Sequence, residues 1–460
     1  MKNHSDELIF HSQGLRRSAA NLVRSHRRIR LREFLLARLS AKRFDMEVIM
    51  EETRVNPDSL RMRNIYLAAG TVGLLFAGIL YAWSILKVPL SSEFGWTNSQ
   101  LATSYTITIS LFCLGCIAGG FLMRAFGPKV PIMVGAVMVC AGFFMTSTLD
   151  GTSIVMLYIY YGVLAGFGIG MAYNTILAAV GSWFPDKKGL CSGILMMGFG
   201  ASTLVLGNLA GSLIDSPTFG WRKVFVVLAL CSGIALLING LIIKMPGPDA
   251  GLPQPKVKAQ KREEAFEKQD MPTAVMITRP SFWMFFVAMM LLGAAGSSLI
   301  SFARDFSMSV GTTAAMAGLF VGILSIANGI GRIIAGMLFD HFGRQFVMVY
   351  VAVLEIAACV VCVLAAMTGS VALCLVGFLL VGLGYGGNTN AVAVFITDFY
   401  GTKYFPQNLS FGLLTLLPSS FLAKLSTTLL NISGGYVVPF MVLAAYGVVS
   451  LVLNSINRKP

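Results

Sequence analysis

The chain is a succession of long apolar runs separated by short polar breaks. Twelve runs, near 64–88, 101–123, 130–149, 152–180, 189–214, 223–244, 281–303, 312–339, 346–367, 370–396, 408–431 and 433–455, approach or exceed the about 20 helical residues that a bilayer crossing needs. They are continuously apolar with no period-two alternation, so they predict helices and not barrel strands. One break is much longer than the rest. Residues 245–280 hold Pro246, Pro248, Pro253, Pro255 and Pro272 and the mixed-charge stretch KVKAQKREEAFEKQD, which predicts a linker between six helices and six. The expected class is an all-α membrane protein of twelve transmembrane helices in two six-helix halves. The expected organisation is an arm over 1–63, bundles over 64–244 and 281–455 flanking the linker 245–280, and a tail over 456–460.

The halves carry an internal repeat. GFLMRAFGPK at 120–129 matches GMLFDHFGRQ at 336–345, and GFGIGMAYN at 166–174 matches GLGYGGNTN at 382–390, both at an offset of 216. Two motifs sharing one offset imply duplicated halves and a substrate cavity at their interface, opened to each side in turn.

Composition agrees: 56% of residues are hydrophobic, 12% are charged, and the mean hydropathy is +0.74, against about a quarter charged in soluble chains. The net charge of +14 is unevenly placed. If residue 64 enters from the cytoplasm, the cytoplasmic segments from residue 46 onward hold 18 Lys and Arg and the outer loops three, Arg222, Lys223 and Arg304. Both termini are therefore expected in the cytoplasm of a cell whose plasma (inner) membrane holds the chain, and the basic balance does not call for nucleic acid. Residues 1–45, with 11 Lys and Arg against four acids, fit a surface-lying amphipathic helix, a transit-peptide-like leader, or a dispensable arm preceding a later start at Met46, Met50 or Met62. The eight cysteines all fall in apolar runs and read as packing.

Polar groups inside apolar runs are the candidates for chemistry. Arg332 lies in IANGIGRIIAGMLFDHFGR at a cost of at least about 2.5–3.5 kcal/mol on insertion scales. Its planar donors suit a carboxylate, but it could also hold helix carbonyls or reach Asp340 through water. Asn328 is one turn away on the same face. Glu355, in the middle of the ninth run, is a candidate proton carrier or a partner of a neighbouring helix. Lys87, Arg304 and Asp305 at outer helix ends read as interfacial. GLGYGG at 382–387 lacks the strand-turn-helix context of a dinucleotide loop and reads as a helix-packing run. His4, His11, His26 and His341 lie in the tail or a loop. No catalytic set, metal cluster or cofactor motif emerges, so an enzyme is not expected.

The six-plus-six organisation with G-x-L-x-D-x-x-G-R after the eighth run resembles the major facilitator superfamily. The resemblance implies that Asp340, Arg344 and Arg124 serve gating. The first-half copy of the motif is expected to be weaker, with Met123 in place of the acid. YAWSILKVPLSSEFGW (81–96), GSWFPDKKGLCSG (181–193), RPSFW (279–283) and NGIGRIIAGMLFDHFGR (328–344) are similar to the oxalate/formate antiporter family. In that family an arginine and a lysine flank a dianion inside an aromatic cage. Arg332 fills the arginine position. The lysine position falls at Leu416, with Lys424 two turns further on. Tyr173, Tyr81 and Trp83 match the cage, and Tyr385 and Thr389 replace two of its aromatic residues. Proton-coupled monocarboxylate carriers have an acid at the position of Asn328.

The expected function is alternating-access transport of a small organic anion, a monocarboxylate, held by Arg332 with Tyr173, Tyr385, Asn328, Tyr81, Trp83 and Thr389 around it. Its partners would be the lipid bilayer and a proton or counter-anion, and the protein would be a monomer. A transporter-like sensor or assembly factor without net transport is the alternative.

Overall fold

The computed structural model describes residues 56–457 apart from 215, 217, 248 and 254–269. The basic arm up to residue 55, the charged stretch of the linker and the tail cations Arg458 and Lys459 lie outside the described residues. Among the described residues, twelve helices are long and apolar enough to cross a membrane. They are α1 (Pro57–Ala82), α2 (Asn98–Phe126), α3 (Lys129–Ser147), α4 (Ile154–Gly181), α5 (Lys188–Ile214), α6 (Gly220–Ile242), α7 (Pro280–Ser309), α8 (Ala314–Phe342), α9 (Arg344–Thr368), α10 (Val371–Tyr400), α11 (Phe405–Ser433) and α12 (Val437–Ile456). The first helix begins at Pro57, seven residues before the apolar run that predicts it, so residues 57–63 are helical. Arg63 is tolerated there because it pairs with Asp186 at 2.8 Å and lies over the Phe184 ring.

The internal repeat is a repeat of packing. In the first half α1 packs on α5, α2 on α4 and α3 on α6. In the second, α7 packs on α11, α8 on α10 and α9 on α12. The tightest contacts recur at the same offset. A Cβ on Gly115 would collide with the Phe167 carbonyl, and one on Gly170 with the Phe112 carbonyl; Gly331 meets the Leu383 carbonyl and Gly386 the Asn328 carbonyl in the same way. Glycine permits this backbone approach because it has no side chain to exclude. The turns after α2 and α8 are also duplicated, at Gly127 (φ 74°) and Gly343 (φ 80°), where residues with side chains are strained.

The loops joining α2–α3, α4–α5, α8–α9 and α10–α11, with the linker, share one end, here the basic end. The halves meet there through α5 on α8 and α2 on α11. One face of α8 records how they diverge. Gly336 abuts the Gly189 carbonyl, Gly329 would touch Met197 at 3.2 Å, and Gly322 and Gly318 have nothing within 4 Å. The interface is closed at the basic end and opens towards the other.

At that other end the extension of α1 over Trp83–Phe94 is fastened to α6. Trp221 Nε1 and Arg222 Nη1 donate to the two Glu93 carboxylate oxygens, and Arg222 Nη2 donates to the Leu149 carbonyl. The Trp221 hydrogen bond, with help from Arg222, holds the Glu93 carboxyl below the usual carboxylate range. A lowered folded-state value means that the contribution to stability is present above the unfolded-state value and is lost as pH falls through the folded one.

Two outcomes follow. Gly386→Ala should destabilise the protein by about 1–3 kcal/mol, an overpacking penalty, whereas Gly322→Ala should not, as read by thermal unfolding in detergent. The acid-side loss of stability, below about pH 4, should shrink in Glu93→Gln, measured by unfolding temperature against pH.

Candidate functional site

A cavity lies between the halves at mid-depth. The first half supplies aromatic rings: Tyr81, Phe112, Tyr173 and Phe199. They support one another, with Tyr173 4.7 Å and Tyr81 5.3 Å from Phe199, centroid to centroid. The second half supplies polar groups: Arg332 from α8, Asn388 and Thr389 from α10, and Thr415 and Ser419 from α11. Arg332 is the one charged residue among those lining the cavity.

Arg332 is 2% exposed. Its Nη1 donates to the Met196 carbonyl of α5 at 2.6 Å and its Nε to Asn328 Oδ1 at 3.3 Å. The guanidinium lies against Gly200, where an added Cβ would come 3.3 Å from Cζ. The cation is thus compensated by a carbonyl across the half-to-half boundary and by its own helix. Nη2 makes no hydrogen bond to a described residue. Asp340, the other partner considered from the sequence, points away and accepts from the Gly189 and Leu190 amides at 3.0 and 2.9 Å.

Of the residues singled out in the sequence, Arg332, Tyr81, Tyr173 and Thr389 line the cavity. Asn328 stands behind Arg332. Tyr385 is wedged against Gly296 of α7, its hydroxyl accepting from Ser297 at 3.4 Å. Trp83 is not brought to the cavity: its indole donates to the Leu101 carbonyl and its ring packs 4.4 Å from Tyr161 within the first half. Leu416, the position of the family's lysine, does line the cavity, and Lys424 is exposed further along α11. Phe112, Phe199, Asn388, Thr415 and Ser419 were not anticipated. Asn388 Oδ1 and Ser419 Oγ are buried without hydrogen-bond partners, and both residues belong to the cavity wall.

Below the cavity a polar layer closes the basic end. Asn174 and Asn390, a pair at the repeat offset, are both fully buried. Asn174 Nδ2 donates to the Cys116 carbonyl (2.9 Å) in its own half and to the Pro406 carbonyl (2.8 Å) in the other. Asn390 Nδ2 donates to the Arg332 carbonyl at 2.9 Å, and its Oδ1 accepts from Ser192 of the first half at 2.7 Å. The repeat was the signal that could have identified this pair.

Of the gating candidates, Asp340 and Arg124 cross between halves. Arg344 does not; it pairs with Asp398 at 3.3 Å inside the second half. One sequence assignment needs correction. At the offset of 216 the counterpart of Asp340 is Arg124, not Met123, so the first copy has exchanged an acid for a base. Arg124 Nη1 donates to Gln407 Oε1 at 3.3 Å and its guanidinium stacks on Tyr404. The segment GSWFPDKKGLCSG is a clamp: Asp186 holds Arg63, Trp183 packs on Tyr66 and donates to the Lys244 carbonyl, and the Gly189 and Leu190 amides take Asp340. Glu355 is buried against Gly384 of α10, and neither carboxyl oxygen has a hydrogen-bond partner.

Duplicated six-helix halves around a mid-depth cavity, closed at one end, are the arrangement of a membrane transporter. The Major Facilitator Superfamily model matches residues 66–423, and the chain belongs to that superfamily. It is similar to the oxalate:formate antiporter of Oxalobacter formigenes, at 26% identity over 338 residues covering 73% of this chain and 77% of that protein. It is also similar to monocarboxylate transporter 12 of Xenopus laevis, at 25% identity over 274 residues, 56% of this chain and 58% of the relative. Among solved structures the proton:xylose symporter XylE shares the fold, with a TM-score of 0.67, 14% identity, and coverage of 86% of this chain and 97% of that one. The chain is an integral membrane transporter of this superfamily.

Removing Asp340 uncaps two amides of α5, a loss of about 1 kcal/mol by analogy with helix caps. Asp340→Ala with Asn390→Ala should therefore open the basic end. Spin labels on cysteines placed at Lys187 and Gln345 should move apart in electron-resonance distance measurements, relative to the same labels on otherwise unchanged protein.

Proposed function

We propose that the protein moves a small organic monoanion, a monocarboxylate, by alternating access, with the carboxylate on Arg332. The observation that carries this reading is the cavity wall itself, one guanidinium among aromatic and neutral polar groups. An anion is the ligand class that such a cation selects, and Leu416 in place of a second cation favours one negative charge over two. The names of the relatives support the class. The aromatic wall suits the apolar body of the anion, while Asn388 and Ser419 offer partners to a further polar group.

The same arginine supplies a coupling. In this conformation its Nη1 spans the two halves to Met196. A carboxylate in the cavity competes for that guanidinium with a neutral carbonyl, and the bond between two opposite charges is the stronger of the two. Occupancy would thus loosen one bond of the basic-end closure. Exchange of anions suits a site whose fixed cation has no acid to neutralise it when empty. Proton symport is the second reading, and the unpartnered Glu355 carboxyl behind α10 favours it. The charge placement along the loops supports cytoplasmic termini and a plasma (inner) membrane, with this conformation facing outward.

The test is a ligand screen on the purified chain, reading thermal unfolding with monocarboxylates, dicarboxylates, cations and neutral solutes. A ligand of the folded state raises apparent stability by mass action. Stabilisation by a monocarboxylate, lost in Arg332→Ala with a transport defect of about 30-fold or more, is expected. Stabilisation by a cation or neutral solute, equal in both proteins, would overturn the reading. Anion-loaded vesicles then separate exchange from symport: Glu355→Gln should leave exchange unchanged.

A further inference from the structure

A second cavity, of about 340 Å³, lies between the halves at the basic end. The layer formed by Asn174, Ser192 and Asn390 separates it from the first. One helical turn spans the layer: Tyr173 and Thr389 line the upper cavity, Leu177 and Ala393 the lower. The volume falls within the about 300–1,000 Å³ of small-molecule pockets. Its wall is largely apolar, with Met123, Leu177, Phe339 and Phe405, and among the described residues it carries the cations Arg124 and Lys403, with Lys188, and no acid. The neighbouring acids among the described residues have partners of their own. Asp340 accepts from the α5 amides, Asp398 pairs with Arg344, and Asp270 accepts from the Thr402 and Lys403 amides.

The repeat explains the charge excess. In the second half Asp340 lies beside the start of α5. At the equivalent place beside the start of α11, the first half has Arg124. The guanidinium lies 4.4 Å from the Tyr404 ring centroid, and the Lys403 ammonium lies 5.7 Å from the same ring. Where one half sets a carboxylate, the other holds two cations around an aromatic face and a cavity.

We propose that this cavity is a second anion site, which takes a monocarboxylate with an apolar body and serves as the basic-end antechamber of the transport path. The carboxylate would sit between Arg124 and Lys403, with its apolar part against Phe405 and Met123. The transport role rests on the reading of the central cavity, but the binding does not, and the experiment keeps them apart.

Full-length protein carrying Arg332→Ala, which removes the central cation, is titrated with 4-fluorobenzoate and followed by fluorine NMR. Saturable binding that weakens as salt is raised is expected, and adding Arg124→Gln and Lys403→Gln should weaken it about tenfold or more. Arg124→Lys, which keeps the charge, should lose less. Both cationic residues are exposed, so the variants should fold, with thermal unfolding as the control. Absence of saturable binding, or binding unchanged by the double substitution, overturns the proposal. Failure of the central reading shows separately, as monocarboxylate transport that survives Arg332→Ala.

Discussion

Backbone packed directly on backbone at four glycines sets everything else in this transporter. Gly115 and Gly170 lock α2 to α4, and Gly331 and Gly386 lock α8 to α10. The amide–carbonyl skeletons of these pairs lie so close that a methyl group has no room. That proximity brings the side chains of Asn174 and Asn390 within reach of the Cys116 and Arg332 carbonyls on the neighbouring helices. It also gives α8 and α10 a fixed relation, so that Asn390 of α10 can reach the Arg332 carbonyl of α8. The closure of the basic end and the cation of the central cavity therefore share a residue. The Arg332 carbonyl anchors Asn390, and its guanidinium reaches across to Met196.

The helices and their duplication were legible because lipid imposes a simple rule. Every backbone group must be satisfied within the segment, and the segments must be apolar. The start of α1 escaped the rule because Arg61 and Arg63 interrupt the apolar pattern, and Arg63 is compensated by Asp186, far away in sequence. Arg332 was legible for the opposite reason, as a charge where none is expected. The aromatic wall was only half legible. Tyr81 and Tyr173 stand out by their hydroxyls and family positions, whereas Phe112 and Phe199 are two among 32 phenylalanines that share one apolar signature. Trp83 belongs to the matching segment, but its helical phase turns it inward to Tyr161. Asn388 and Ser419 are short polar side chains of the kind that spanning helices carry for packing.

The repeat shows how one arrangement used twice can be made chemically unequal without disturbing its frame. Four positions at the common offset differ around the same backbone arrangement: Phe112 against Asn328, Cys116 against Arg332, Tyr173 against Thr389 and Arg124 against Asp340. The first three make the two sides of the cavity unequal, an aromatic wall from the first half facing a cation and neutral polar groups from the second. The glycines that position these residues are the same in both halves.

The fourth divergence bears on how the closed end opens. On the α5–α8 side a carboxylate accepts two amide hydrogens at a helix start, a charge-assisted contact reinforced by the helix dipole. On the α2–α11 side a guanidinium faces a helix start of the same polarity, and its partners there are Gln407 and the face of Tyr404. Pro406 has no amide hydrogen to offer, though its carbonyl accepts from Asn174. The two seams are therefore unequal: one is held by a carboxylate on two amides, the other by a guanidinium on a neutral amide oxygen and over a ring. Separation at the weaker seam needs less free energy, and an anion drawn to Arg124 would lower the electrostatic conflict there.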